Sequence, residues 1–492
     1  MTVIILVLFG LAILVMASYG YKISAKTAED YMLAGRTIGV VVMFFFILFA
    51  VSSSWTFYGY PGYLYLNGPA YIYFIWGSVA GFAALYMFLG PRLWAVARLN
   101  RYLSPVEVMA ERYESPFLRV LLSLMLLAFI VPYVGIQPLG VGLGFKALTG
   151  LPIIIGALYT VALLVILVLL GGMRIVAWVN IFLGVVYATA LLGSLIWVAN
   201  KFLPGGLTQA AQTLMETNPE LLSAPGPLGR FTPVIIGGTM AVGLLAFSWP
   251  HIVIGVMTAR DKMLFKWFPL LIFIFGGVFF YTIPFIWGSL VAPVVMPGVV
   301  EKEAADSIVQ TIITKYLPSW FSIYVLMGVI AAAVSTAAVQ LLTSSILVSR
   351  DLIQGIFKPD AQDSQIIRWA RWSLLGIVIL SLGVSIWNPM AMALYLTDVT
   401  IPGFAQWGPA LVGGLLWKRG TRQGAIVGTL AGLVYLIAGL IYKPLFFDMH
   451  PIMPTIIVNM VLYIVVSFLT PAPSEEVQAR FFDEVEDFLA AG

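Results

Sequence analysis

Apolar runs of about 20 residues recur along nearly the whole of this 492-residue chain, and that recurrence leaves it little choice of surroundings. A run of that length, almost free of charge, crosses a bilayer as a helix because a helix satisfies its own backbone polar groups. Hydrophobic residues make up 61% of the chain and charged residues 10%, a balance that excludes a soluble globular domain. The chain therefore reads as an all-α polytopic protein of the cell membrane. Cysteine is absent, which removes disulfides, thiolate catalysis and cysteine metal sites. The two histidines, His251 and His450, are too few for a histidine-rich metal site. The net charge of +4 resides in loops, so it reflects topology rather than a nucleic-acid partner.

Thirteen spans are expected, at 2–20, 39–66, 71–96, 117–143, 151–170, 175–199, 233–258, 267–292, 320–349, 368–387, 390–417, 423–442 and 453–470. The first lacks a leading basic region and a small-residue cleavage site, and is read as a retained span. With the N-terminus outside and the C-terminus inside, 20 of the 26 basic residues, Lys22 and Lys26 among them, fall in inner loops or the tail. Only Lys146, Lys201, Arg230, Lys302, Lys315 and Lys443 stay outside. The long outer loops 200–232 and 293–319 are candidates to cover a vestibule. The tail after Ser474 sets Phe481, Phe482, Val485, Phe488 and Leu489 among acids, the pattern of a solvated or interfacial amphipathic helix.

Three stretches carry chemistry. Residues 328–345 place small side chains and several hydroxyl pairs inside a span. Small residues let helices approach closely in lipid, and Ser335 and Thr336 offer oxygens to a dehydrated cation. In span two, Ser52, Ser53 and Ser54 are followed by Gly59, Pro61 and Gly62, which predicts a broken helix with freed carbonyls at a protein-lined cavity. Asp398 is the one carboxylate expected deep in a span, near mid-membrane and with no basic residue at its depth. It should face water, bind a cation or carry a proton, or else be a structural acid hydrogen-bonded to Thr397, Thr400 or a helix break. His251, beside Pro250, is a buried backbone-bonded histidine or a gating group.

Together these features resemble the sodium/solute symporter family over almost the entire chain. The matching segments are Gly35 to Gly62, the Gly171-Gly-Met-Arg174 turn, Pro250-His251, Ala332 to Leu342, and Phe404 to Trp417, in order and at suitable spacing. The monocarboxylate, pantothenate and amino-acid branches look most similar. The resemblance implies a LeuT-type 5+5 inverted repeat within the 13 transmembrane helices. It divides the chain into a leading helix and first loop (1–34), a ten-helix core (35–420), two trailing helices (421–471) and a cytoplasmic tail (472–492). It also implies a Na+ site built from the carbonyls of Phe49, Ser52 and Ala332 and the hydroxyls of Ser335 and Thr336. Departures exist. Val51 stands where many members carry Asp, Val179-Asn180 replaces a Thr-Asp pair that would supply a second sodium site, and Gly255 stands where Arg often follows. Val242 and Ala246 replace aromatics of proline transporters, which suggests a different or bulkier substrate.

The reading is a sodium-coupled secondary active symporter that imports a small monocarboxylate or amino-acid-like solute by alternating access, not an enzyme. Ser53, Trp55, Thr56, Tyr133, Trp249 and Asp398 are the expected substrate residues, and His251 and Asp398 the gating or coupling residues. The partners are solute, Na+ or in its place H+, and lipid; the transport unit is a monomer. The rival readings are a proton-coupled or cationic-solute transporter using Asp398, and a transporter-like membrane sensor without turnover.

Overall fold

The computed structural model describes residues 2–23, 27–298, 302–387 and 395–491. Lys26 and the first residues of the expected span 390–417 lie outside them. Among the described residues, ten helices are long and apolar enough to cross a membrane, or eleven when the bent pair Val40–Ala50 and Trp55–Asn67 counts as one span. The two halves of that pair meet at 60°.

The expected spans 151–170 and 175–199 run together as a 50-residue helix, Ile153–Phe202, turned at Gly172. Gly172 has φ 58° and ψ −169°, backbone that a side chain rarely tolerates, and a Cβ there would lie 2.9 Å from Tyr31. The turn is pinned from outside the helix. Arg174 pairs with Asp30, and the Tyr31 hydroxyl donates to Val168 O at 3.2 Å. The expected span 390–417 is described as the short helices Tyr395–Thr400, Ile401–Ala405 and Gly408–Leu416.

The helix Ser319–Ile346 is buried nearly all round and packs most heavily on Ile153–Phe202. Its small residues from Gly328 to Ala338 allow that close approach, as helix pairs in lipid require. A second tight seam joins Ile72–Ala84 to Pro233–Leu244, where Gly77 and Gly81 sit directly on the opposing backbone. The trailing helices Arg422–Ile441 and Ile452–Leu469 pack chiefly on each other.

At one end of the bundle the long loops fold back over the second half of the broken helix. Tyr65 donates to Met296 O and Gly298 O at 2.8 and 2.5 Å, and Gly62 leaves room for the Ala305 backbone. At the opposite end a buried charge network ties the helix Pro105–Arg112 to two spans. Arg350 grips Glu107 at 2.7 Å, and Arg119 reaches Asp351 at 3.2 Å.

The tail, expected from its pattern to be a solvated or interfacial amphipathic helix, packs its apolar face on the protein. Val477, Phe481, Phe482 and Val485 are buried against the same end of the bundle. Arg112 lies 5.3 Å from the Phe482 ring centre, and ion pairs Arg92–Glu486 and Lys418–Asp483 flank the contact. The apolar face found its partner on the protein itself, which a periodicity argument cannot foresee.

Candidate functional site

The broken helix decides what its carbonyls can do. In an unbroken helix Phe49 O would accept from the Ser53 amide. Here the Ser53 amide donates to Thr56 Oγ1 at 3.2 Å, and the chain leaves helical geometry after Ala50. Phe49 O is thereby released toward the helix Ser319–Ile346. Ser335 Oγ lies 2.9 Å from Phe49 O and 2.9 Å from Ala332 O, and Thr336 Oγ1 lies 3.3 Å from Phe49 O. Four of the five expected sodium ligands are thus joined across two helices. Ser52 is fully buried in the break and turns its hydroxyl back to Leu48 O at 2.6 Å, which leaves its carbonyl as the ligand atom to consider. The donor set is neutral oxygen throughout, the chemistry that suits a monovalent alkali cation. Asn180 comes within 3.5 Å of Ser335 O, so the position that lacks the family's acid still borders this site.

The break is held open by two residues that sequence reasoning missed. Gln137 Oε1 accepts from the Ser54 amide at 3.1 Å and from the Ser54 hydroxyl at 3.0 Å. Tyr281 donates its hydroxyl to Val51 O at 3.2 Å. Gln137 lay between Pro132 and Pro138 one turn from Tyr133, a signal for a kinked helix facing a polar partner.

Beside the break, Pro250 removes a helical donor and forces Trp249 into extended backbone (φ −66°, ψ 119°). That turn presents two rings. Trp249 stacks on His251 with centroids 5.6 Å apart, and Tyr133 meets their edges at 6.0 and 5.8 Å. Tyr133 also faces the Ser53 hydroxyl. Trp249 Nε1 and both ring nitrogens of His251 are buried without a hydrogen-bond partner among the described residues. Buried polar atoms in that condition are costly unless something else satisfies them. Of the two readings of His251, the backbone-bonded core histidine is therefore not the one observed.

Of the other expected substrate residues, Trp55 and Asp398 lie apart from this cluster. Thr56 caps the Ser53 amide. Trp55 stacks on Tyr60 at 5.4 Å and begins an aromatic column that continues through Tyr71 and Tyr63. Asp398 sits at the far end of that column. It has basic partners, contrary to the expectation of none at its depth, and a bond to Thr397, as the structural alternative expects. Arg230 lies 3.6 Å away, His450 Nε2 3.4 Å, and Thr397 Oγ1 donates at 3.0 Å. Arg230 also lies over the Tyr63 ring at 5.5 Å. Its basic partners, Arg230 and His450, come from loops distant in sequence that fold back over the helix, so depth counted along one helix misjudged its surroundings.

The sequence profile of the Sodium:solute symporter family matches residues 31–432. The chain belongs to this family. Among relatives, it is 26% identical to the osmoregulated proline transporter OpuE of Bacillus subtilis, covering 99% of each chain. It is 24% identical to the sodium/proline symporter of Haemophilus influenzae, covering 97% of this chain and 96% of that one. Among solved structures, it resembles a substrate-bound, outward-open Na+-coupled sialic acid symporter with TM-score 0.80 and 18% identity. That likeness covers 96% of this chain and 99% of the other, and it shows a shared fold. As a member of this family with ten candidate spans among the described residues, the protein is a multi-pass membrane protein.

Proposed function

We propose that this symporter-family member is a sodium-coupled importer of a small amino-acid-like solute, working by alternating access. The observation that carries the reading is the oxygen cluster joining Phe49 O to Ala332 O, Ser335 Oγ and Thr336 Oγ1. A cation there, with the Ser52 carbonyl as a further ligand, ties the broken helix to the helix Ser319–Ile346. It thereby favours one arrangement of the two, which is all that coupling requires.

Solute binds beside the break, against Ser53, Tyr133, Trp249 and His251. These groups offer aromatic walls and free donors but no Lys, Arg, Asp or Glu, which suits a neutral or zwitterionic solute. The proline transporters among the relatives make proline the first candidate. Val242 and Ala246, both fully buried, favour amino acids larger than proline as the second. The aromatic column and the Asp398–Arg230–His450 group form the outer closure. Asp398 is a latch in this reading, not a proton carrier or a counter-ion for a cationic solute, because two basic residues already attend it.

The topology that goes with this has thirteen spans, the N-terminus outside, the tail inside, and one chain as the transport unit. Residues 35–420 are the transport core, after a leading helix at 1–34. The trailing helices at 421–471 and the tail at 472–492 are supports. The test is uptake of labelled proline, then larger amino acids and monocarboxylates, into proteoliposomes. Imposed gradients of sodium, potassium or protons are compared. Accumulation driven by sodium alone supports the proposal; accumulation driven only by a proton gradient contradicts it.

A further inference from the structure

The end of the bundle that carries the tail holds a cleft of about 740 Å³ edged by Arg260, Lys262 and Lys266. Asp261, also at the edge, is taken up by Arg260 at 2.9 Å. Lys262 and Lys266 are exposed and form no ion pair among the described residues. They stand four positions apart at the start of the helix Met263–Leu271, so both cations serve one face. The walls are apolar, made by Val40, Met263, Phe265 and Leu489. Leu489 comes from the docked tail, so the tail completes one wall of the cleft. The backbone of the cationic edge is fixed as well. Arg98 donates to Arg260 O at 2.7 Å, and the Arg260 amide donates to Ile38 O at 2.9 Å.

An apolar cleft with surplus positive charge at its mouth asks for an amphipathic anion. On the helices Val40–Ala50 and Met263–Leu271 that border the cleft, Val41, Trp267 and Leu270 are exposed, an apolar surface suited to acyl chains. A soluble anion would use the cations and leave the walls wet. A neutral lipid would use the walls and leave two cations unanswered. We propose that this cleft binds one phospholipid with a net anionic headgroup, its phosphate between Arg260, Lys262 and Lys266 and its chains along Met263 and Leu270. Basic pockets on the cytoplasmic face are the setting in which such headgroups are held. The site lies at the foot of the helix Val40–Ala50, whose other end carries Phe49, so an occupant braces the helix that supplies a sodium ligand.

The test is native mass spectrometry of the full chain in detergent, titrated with phosphatidylglycerol, phosphatidylcholine or soluble glycerophosphoglycerol. The expected result is retention of one phosphatidylglycerol per chain about tenfold more tightly than phosphatidylcholine, with no retention of the soluble headgroup. The Arg260→Gln/Lys262→Gln/Lys266→Gln variant should lose that preference. A variant with equal charge loss on the same face, Lys22→Gln/Lys358→Gln/Arg422→Gln, should keep it. Met263→Glu, at a half-exposed wall position that tolerates substitution, should weaken retention with all three cations intact. Undiminished phosphatidylglycerol retention in the triple variant overturns the proposal. So does an equal loss in the control variant, which would mean diffuse attraction, or binding of the soluble headgroup as tight as that of the lipid.

Discussion

Gly184 has no polar group, yet it should set the affinity for sodium. A Cβ at that position would fall 1.8, 1.9 and 2.3 Å from three atoms of the Phe49 ring. Carbon atoms rest about 3.5–4.0 Å apart, so Gly184→Ala obliges the ring to retreat by about 1.5 Å. The ring has little freedom to do so, with Phe45 stacked on it at 5.8 Å and Phe280 edge-on at 5.4 Å. The strain passes to the backbone of Phe49, whose carbonyl meets Ser335 and Thr336. Overpacking of this kind costs about 1–3 kcal/mol. If the cost falls on the geometry that accepts the ion, sodium affinity drops by about 5- to 150-fold. Titration of thermal stability with sodium, on purified Gly184→Ala, reads the change directly. Phe49→Leu in the same background should restore the midpoint, because the ligand is a carbonyl and survives the smaller side chain. A folded Gly184→Ala protein with an unchanged sodium midpoint would refute this reasoning.

Other expectations follow from the rest of the structure. Asp398→Asn should leave uptake sodium-coupled while opening the outer closure, since partly exposed pairs contribute up to about 1 kcal/mol each. The chain has no native cysteine, so thiol labelling of Phe231→Cys in both backgrounds reports the opening, and loss of sodium coupling would count against the latch. Arg112→Lys should lower stability by about 2–4 kcal/mol, measured as a fall in melting temperature. The fully buried guanidinium donates to Gly414 O, Trp417 O and Lys418 O, a fork that an ammonium cannot reproduce. Removing residues 474–492 should lower the melting temperature by uncovering Tyr102 and Trp94, with the sodium dependence preserved.

What the sequence made legible follows a physical divide. The broken helix was readable because three serines, two glycines and a proline in an apolar run are themselves the local cause of the break. The pairing of Phe49 with Ser335 and Thr336 was readable from the family resemblance, since a backbone carbonyl leaves no side-chain signature of its own. Gln137 and Tyr281 escaped notice because their role depends on which helix lies opposite. Asp398 was misjudged for the same reason, as Arg230 and His450 reach it only through loops that fold back. The tail's apolar stripe was correctly seen as amphipathic, but amphipathicity does not say whether lipid, water or protein covers the stripe. The Tyr133, Trp249 and His251 cluster lies between these cases, with the Pro250 turn legible and the stacking not.

The claim at the centre of this account is that Phe49, Ser52, Ala332, Ser335 and Thr336 hold sodium. Thermal unfolding of the purified protein in sodium and in potassium, at equal ionic strength, tests it without knowledge of the solute. An ion at 100 times its dissociation constant stabilises by about 2.7 kcal/mol, which a melting curve resolves. The account predicts a sodium-specific rise that disappears in Ser335→Ala/Thr336→Ala. Equal melting in the two salts, or a sodium-specific rise that the double variant retains, would contradict it.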